Sequence, residues 1–269
     1  MEKSIPQFIN SPIRKCVNLF LLIVVLSSFI YLQQKPTLYI IGDSTVRNTT
    51  TDKPDALWGW GSIIGDFFDT SKLSISNQAM AGRSTRTYLK EGRWDKVLST
   101  LKAGDYVMMQ FGHNDGSKPD TSKAGYRGVL RGTGEDSVVL NWPDGKQEVV
   151  HTYGWYIRKF IRDAKAKRAI PIVCSFIPRN DWKDGKVIRP KNNFGQFAED
   201  VAKQENAFFI DLNNITADKY DAMGQEAVKP FFPKEHTHTN YDGAKMNAAS
   251  VVDGLKKLSN CTLNKYLLN

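Results

Sequence analysis

Short apolar runs alternate with stretches of helical spacing along most of the chain. Leu38-Tyr39-Ile40-Ile41 is a continuous apolar run that stops at Gly42-Asp43-Ser44, as expected of a strand buried on both faces and ended by a turn. Ile63, Ile64, Phe67 and Phe68 predict an apolar helix face over 58–68, and 73–76 reads as a second strand. Trp94, Val97, Leu98 and Leu101 make one stripe of a helix over 87–101. A third strand over 106–111 ends at Gly112-His113-Asn114-Asp115. Helical spacing returns over 153–166 and feeds a strand over 170–177; a helix over 192–204 precedes a strand over 208–210. A helix over 241–258 closes the pattern, with Asn240 as its N-cap, since an asparagine side chain accepts from the free amides of a first turn.

Apolar strands separated by helices predict an α/β fold, a three-layer α/β/α sandwich with a mainly parallel central sheet. One region breaks the alternation. Between 116 and 150, Val138-Val139-Leu140-Asn141 and Gln147 to Val150 flank Asp144-Gly145, the pattern of a small hairpin insertion. It follows the third strand, at the sheet edge where ligands bind, so it either shapes a pocket or is a surface flap.

The first residues follow another logic. Lys3, Arg14 and Lys15 precede an apolar run from Leu19 to Leu32, which predicts a signal peptide or a single retained membrane anchor over 1–32. Such a segment implies export to the periplasm, the cell envelope or the medium. The rest, 33–269, has the size of one α/β domain.

Composition narrows the partners. Lys and Arg total 37 against 28 Asp and Glu, a formal net charge of +9. The basic residues form no run of five, which argues against nucleic acid, while the positive balance suits an acidic polymer. Cys16, Cys174 and Cys261 cannot build a disulfide framework, and neither they nor the four His residues show zinc-ligand spacing.

The chemistry gathers at strand ends. Ser44, Gly82 and Asn114 each follow a predicted strand, and His238 precedes the last helix, so one sheet edge can collect all four. A serine hydroxyl needs a base to act as a nucleophile, and His238 can take its proton. Glu235, three residues earlier, can hold the far ring nitrogen; His236 reads as structural. The backbone N–H groups of Ser44 and Gly82 and the side-chain amide of Asn114 can serve as oxyanion donors. An ordinary turn at each position is the alternative, and their coincidence at one edge weighs against it.

Together these blocks resemble the SGNH (GDSL-like) hydrolase superfamily, and within it the rhamnogalacturonan acetylesterases. They are Gly42-Asp43-Ser44-Thr45, the glycine of Asn77-Gln78-Ala79-Met80-Ala81-Gly82-Arg83-Ser84, Gln110-Phe111-Gly112-His113-Asn114-Asp115, and Glu235-His236-Thr237-His238-Thr239-Asn240. The similarity spans about 37–258. It implies a flavodoxin-like SGNH hydrolase domain, a serine esterase working without metal or cofactor, and an O-acetylated pectic polysaccharide as substrate; separately from the resemblance, a monomer is the expectation. Another acetylated glycan, such as xylan, or a catalytically weak glycan-binding surface protein are the alternatives. The family has Asp where this chain has Glu235; the expectation is that Glu235 substitutes, the alternatives being another acid, a water or an impaired site. Arg47, Arg83 and Arg86 are candidate contacts to a substrate carboxylate, and Trp58, Trp60, Trp142 and Trp182 candidate platforms for sugar rings.

Overall fold

A computed structural model describes residues 35–268 apart from 50, 52, 54, 55 and 124; the segment 1–32, with the expected signal or anchor and Cys16, lies outside the described residues. In chain order the strands are β1 (Thr37–Gly42), β2 (Ser74–Asn77), β3 (Tyr106–Gln110), β4 (Ser137–Asn141) and β5 (Gln147–His151). They continue with β6 (Ile170–Cys174), β7 (Trp182–Lys183), β8 (Lys186–Val187) and β9 (Phe208–Ile210). Five of them form a wholly parallel sheet in the order β2-β1-β3-β6-β9, while β4-β5 and β7-β8 are separate antiparallel hairpins.

Side chains alternate across each strand, so the central strands feed two cores. Leu38, Ile40, Met108 and Ile172 pack with Ala244, Ala248, Val251 and Leu255 of the Tyr241–Lys256 helix. Ile41, Val107, Met109 and Val173 pack with Phe160 and Ile161 of the Tyr153–Ala166 helix and with Ala198 and Val201 of the Phe194–Gln204 helix. The result is the three-layer α/β/α sandwich with a parallel sheet. Cys174 is one more buried side chain of the first core, and burial raises its thiol pKa well above the usual range, which keeps it a neutral packing group. Asn240 caps the last helix, its side chain accepting from Gly243 N–H at 3.0 Å.

The chief departures from the expectation are four. The 58–68 helix is two 3₁₀ turns, Trp60–Ser62 and Ile64–Phe67. Gly59 and Gly61 lie so close to the chain after Ser44 that a Cβ on either would stand 2.4 Å from the carbonyl of Arg47 or Val46, so this segment is set by main-chain docking. The 87–101 helix is two, Thr85–Lys90 and Arg93–Thr100, broken at Gly92 by its left-handed φ of 66°. The strand expected to reach 177 leaves the sheet after Cys174, because its partner β9 ends opposite at Ile210. A helix absent from the expectation, Leu212–Met223, buries Leu212, Asn213, Thr216, Ala217 and Tyr220. Polar residues on its inner face blur the apolar stripe.

Candidate active site

The carboxyl ends of β1, β3 and β6 and the loop before the last helix meet at one edge of the sheet. β1 ends in a tight turn in which Val46 and Arg47 N–H both donate to the Asp43 carbonyl, at 3.2 and 3.1 Å. Below it runs a chain of buried side chains. Asp43 Oδ1 accepts from Thr45 N–H and its hydroxyl at 2.9 and 2.7 Å, Thr45 Oγ1 accepts from Gln110 Nε2 at 2.7 Å, and Gln110 Oε1 accepts from Trp60 Nε1 at 2.8 Å. Trp60 and Gly61 N–H donate to the Thr45 and Val46 carbonyls at 3.0 and 3.2 Å. Each of these side chains is at most 3% exposed, so the turn carrying Ser44 is clamped from beneath. Linked buried hydrogen bonds strengthen one another, and in this network Asp43 Oδ2 alone is left without a partner among the described residues.

Ser44 Oγ lies 2.7 Å from His238 Nε2, and His238 Nδ1 lies 2.5 Å from Glu235 Oε1. The same carboxylate organises its own loop, accepting from His238 N–H at 2.7 Å on Oε1 and from Thr237 N–H at 2.9 Å on Oε2. Burial alone raises the Glu235 pKa, but these hydrogen bonds outweigh it and hold the carboxyl below its ordinary range. The extra methylene relative to Asp is absorbed by this turn, which curls the glutamate back onto the imidazole. His236 points away, its Nδ1 2.7 Å from Asp181 Oδ1, while its carbonyl accepts from Asn180 N–H at 2.7 Å. Thr239 pairs with Trp58, which ties the histidine loop to the segment behind Ser44.

The donor side is built from two further loops. Gly82 sits at φ 76°, a left-handed backbone that other residues adopt only with strain. Within the protein a Cβ there would meet only Arg127 Nη1, at 3.9 Å, so backbone conformation and not crowding by neighbouring residues calls for glycine. Among the described residues no acceptor takes the N–H of Gly82 or of Ser44. Asn114 Nδ2 donates to the Arg83 carbonyl at 3.2 Å, which draws the amide to the Gly82 loop, and Asn114 Oδ1 accepts from Arg127 Nη1 at 2.7 Å. With its oxygen occupied by a guanidinium, the amide must present its NH₂ side, and one N–H remains beyond the bond to Arg83. No sequence pattern points to Arg127, which lies in the irregular start of the insertion.

The side chains of block three brace this region. Asp115 Oδ1 accepts from Thr85 N–H and Oγ1 at 2.9 and 2.6 Å, stitching the β3 loop to the Thr85–Lys90 helix. Burial raises the Asp115 pKa to about 7 against the opposing Thr85 bonds. His113 is packed edge-on against Phe176, and its ring nitrogens have no hydrogen-bond partner among the described residues. Burial holds it neutral, with a pKa lowered to about 4.

The arginine expectations need correction. Arg86 is 1% exposed, and its guanidinium is consumed inside the protein. Nε and Nη2 grip both Glu148 oxygens at 2.8 and 2.9 Å, and Nη1 donates to the Gly125 and Gly128 carbonyls at 3.1 and 3.0 Å. Arg86 therefore anchors the β4-β5 hairpin to the domain and is closed to a substrate. Arg83 is bound through Nε to both Glu91 oxygens, at 3.0 and 3.2 Å, and through Nη1 to Ala81 O at 2.9 Å. Arg47 is folded onto the carbonyls of Asn48 and Leu57 at 2.9 and 3.4 Å. Of the tryptophans, Trp60 is fully buried and cannot be a platform. Trp58 stands edge-on to Tyr241, Trp142 covers Lys90 Nζ at 4.0 Å from its ring centre, and Trp182 donates to Asn180 Oδ1 at 2.6 Å. Among the described residues no cluster of His, Cys, Asp and Glu has the arrangement of a metal site.

Comparison with known proteins places this geometry in a family. Residues 40–246 match the GDSL-like Lipase/Acylhydrolase family. The chain is 34% identical over 212 residues to a rhamnogalacturonan acetylesterase of Emericella nidulans, covering 79% of this chain and 81% of that one. It is 27% identical over 226 residues to a probable rhamnogalacturonan acetylesterase, YesY, of Bacillus subtilis, covering 82% and 93%. The crystal structure of Bacillus subtilis YxiM superposes with a TM-score of 0.68 at 24% identity, covering 85% of this chain and 58% of that one, a likeness of fold. Its parallel sheet, its four ordered blocks and its match over most of its length make the chain a member of the GDSL-like (SGNH) hydrolase family, and thus a carboxylic ester hydrolase.

Proposed function

We propose that the protein removes O-acetyl groups from an acidic pectic polysaccharide of the rhamnogalacturonan type, using Ser44, His238 and Glu235. The observation that carries the chemistry is the pair of contacts on the His238 ring, 2.7 Å to the Ser44 hydroxyl and 2.5 Å to Glu235. The two relatives named as rhamnogalacturonan acetylesterases support the substrate class.

In the first half-reaction Ser44 Oγ attacks the acetyl carbonyl carbon while His238 Nε2 takes its proton. Glu235 fixes the tautomer and steadies the imidazolium. The carbonyl oxygen, now negative, is held by Ser44 N–H, Gly82 N–H and Asn114 Nδ2. Collapse breaks the bond to the sugar oxygen, which leaves with the proton from His238, and an acetyl group remains on Ser44. Water then attacks this ester, giving its proton to His238; the second collapse frees acetate and returns the proton to Ser44. One water is consumed and one sugar hydroxyl restored per turnover. Export, predicted by the basic-then-apolar segment over 1–32, fits a polymer that does not cross membranes.

Acetate release from acetylated rhamnogalacturonan, acetylated xylan and a short-chain lipid ester, with Ser44→Ala as the control, tests this reading. Preference for the pectic polymer by about tenfold or more in kcat/KM is expected. Equal turnover of the xylan, or binding of glycan without acetate release, would replace it with one of the two alternatives.

A further inference from the structure

The carboxyl ends of the parallel strands carry the chemistry; their amino ends meet at the opposite edge of the sheet. The loops that lead into β2, β3, β6 and β9, at 69–73, 101–105, 167–169 and 203–207, lie there. The tail after the Tyr241–Lys256 helix joins them, and hydrogen bonds knit the whole into one face. Gly104 N–H donates to Arg168 O at 3.0 Å, Lys165 Nζ to Asn206 O at 3.1 Å, and Asp69 N–H to Tyr266 O at 2.7 Å. The Tyr106 and Thr262 hydroxyls meet at 2.8 Å.

The charge of this face is one-sided. Lys167, Arg168, Lys203, Lys256, Lys257 and Lys265 are all exposed, and no carboxylate among the described residues pairs with any of them. The carboxylates of the same loops are taken. Asp69 pairs with Lys72 at 2.7 Å, Glu205 pairs with Arg162 at 2.8 Å, and the buried Asp105 accepts from Thr37 and Lys102 N–H, both at 2.8 Å. A helix C-terminus attracts a cation, which accounts for Lys203 and Lys256 in their last turns. That attraction fades beyond the last turn and does not select Arg168, whose left-handed φ of 60° favours glycine.

The chain also enters the domain on this face, where Ser74 N–H donates to Pro36 O at 2.9 Å. The basic-then-apolar segment ends at Leu32, four residues before Pro36. At about 3.5 Å per residue that link reaches at most about 14 Å. We infer that 1–32 is a retained anchor and that the amino-end face docks on the anionic headgroups of the membrane, with Ser44 and His238 turned to the medium. The short link ties this face, and not the catalytic edge, to the bilayer. Headgroup charge acts over a screening length of about 8 Å in physiological salt, so several cations on one docked face add their attractions. The inference is independent of which glycan the enzyme deacetylates.

The test reconstitutes the full chain into vesicles of phosphatidylcholine, alone or mixed with phosphatidylglycerol, acylates its lysines with a water-soluble ester reagent and maps them by mass spectrometry. In the anionic vesicles Lys167, Lys203, Lys256 and Lys257 should react about fivefold more slowly than in the neutral ones. Lys183, beside the histidine loop, should keep its rate. The protection should vanish in about 0.5 M salt, where the screening length falls to about 4 Å. In the triple variant Arg168→Gln, Lys256→Gln, Lys257→Gln, protection of Lys167 and Lys203 should be lost while hydrolysis of p-nitrophenyl acetate is unchanged. Equal rates in the two kinds of vesicle, protection that survives the triple variant, or slowing of Lys183 to the same degree overturns the docking face. So does a mature chain that begins after residue 32 when the protein is exported by a bacterial host.

Discussion

The Ser44–His238 side of the site and the Asn114 side are assembled in different ways. Around Ser44 main-chain docking adds to the buried side-chain network: the 59–62 segment donates two N–H groups to the nucleophile turn, and Trp58 pairs with Thr239 beside His238. Around Asn114 the support comes from single long side chains of the insertion and of the Thr85–Lys90 helix, Arg127 onto Asn114 and Arg86 onto Glu148. Main-chain docking spreads its energy over several bonds, whereas a guanidinium concentrates it in one contact. Substitutions should therefore be graded on the first side and abrupt on the second.

The largest effect bounds the comparison. Ser44→Ala and His238→Ala should each lower kcat on an acetyl ester by about 10⁴-fold or more, with little change in folding. Glu235→Gln comes next, at about 10³-fold in kcat, because the ring loses its anionic partner while the loop hydrogen bonds can persist. Turnover by Glu235→Gln equal to that of the parent would take Glu235 out of the machinery.

Arg127 is a positioning residue, and its effect should follow. Arg127→Ala should reduce kcat about 10²-fold with a smaller change in KM, as expected for a misaimed oxyanion donor. Non-additivity sharpens the point: Arg127→Ala should add little to Asn114→Ala, since the guanidinium acts through that amide. Independent, multiplying losses would mean that Arg127 serves only the fold.

Glu148 marks the structural arm of the comparison. Burial works against its charge, yet Arg86 and Lys90 draw its pKa down to about 2. Breaking the pair on one side, with Arg86→Ala, leaves a half-buried carboxylate and should cost about 3–5 kcal/mol in denaturant titration. Because the folded pKa is depressed, this stabilisation is complete above the ordinary Glu value and is lost as pH falls from about 4.5 toward about 2. Asp115 behaves oppositely. Its folded pKa is raised, so its contribution is present below about 4 and is lost as pH rises through about 7. The stability of Asp115→Asn relative to the parent should thus rise across that window; a flat difference would contradict the assignment.

Legibility in the sequence divides along the same line. Ser44, Gly82, Asn114, Glu235 and His238 were readable because each stands at a fixed offset from a strand end or a helix start, and a parallel sheet collects such positions at one edge. The strands were readable from continuous apolar runs. The 58–68 segment departs from its pattern because its apolar spacing is helical while its glycines serve close main-chain contact. Leu212–Met223 escaped because its buried face carries Asn213 and Thr216. Arg86, on the Thr85–Lys90 helix, and Arg127, at the end of a short turn, are not legible for one reason: the partner of a long charged side chain is settled only by tertiary packing.

The central claim, that Ser44 carries the acyl group, is met most directly by labelling with an organophosphate ester and mapping the adduct by mass spectrometry. The account predicts one adduct, on the peptide containing Ser44, formed in step with loss of acetate release and absent from His238→Ala within the same reaction time. An adduct on another residue that tracks the loss of activity, with Ser44 unmodified, would contradict it.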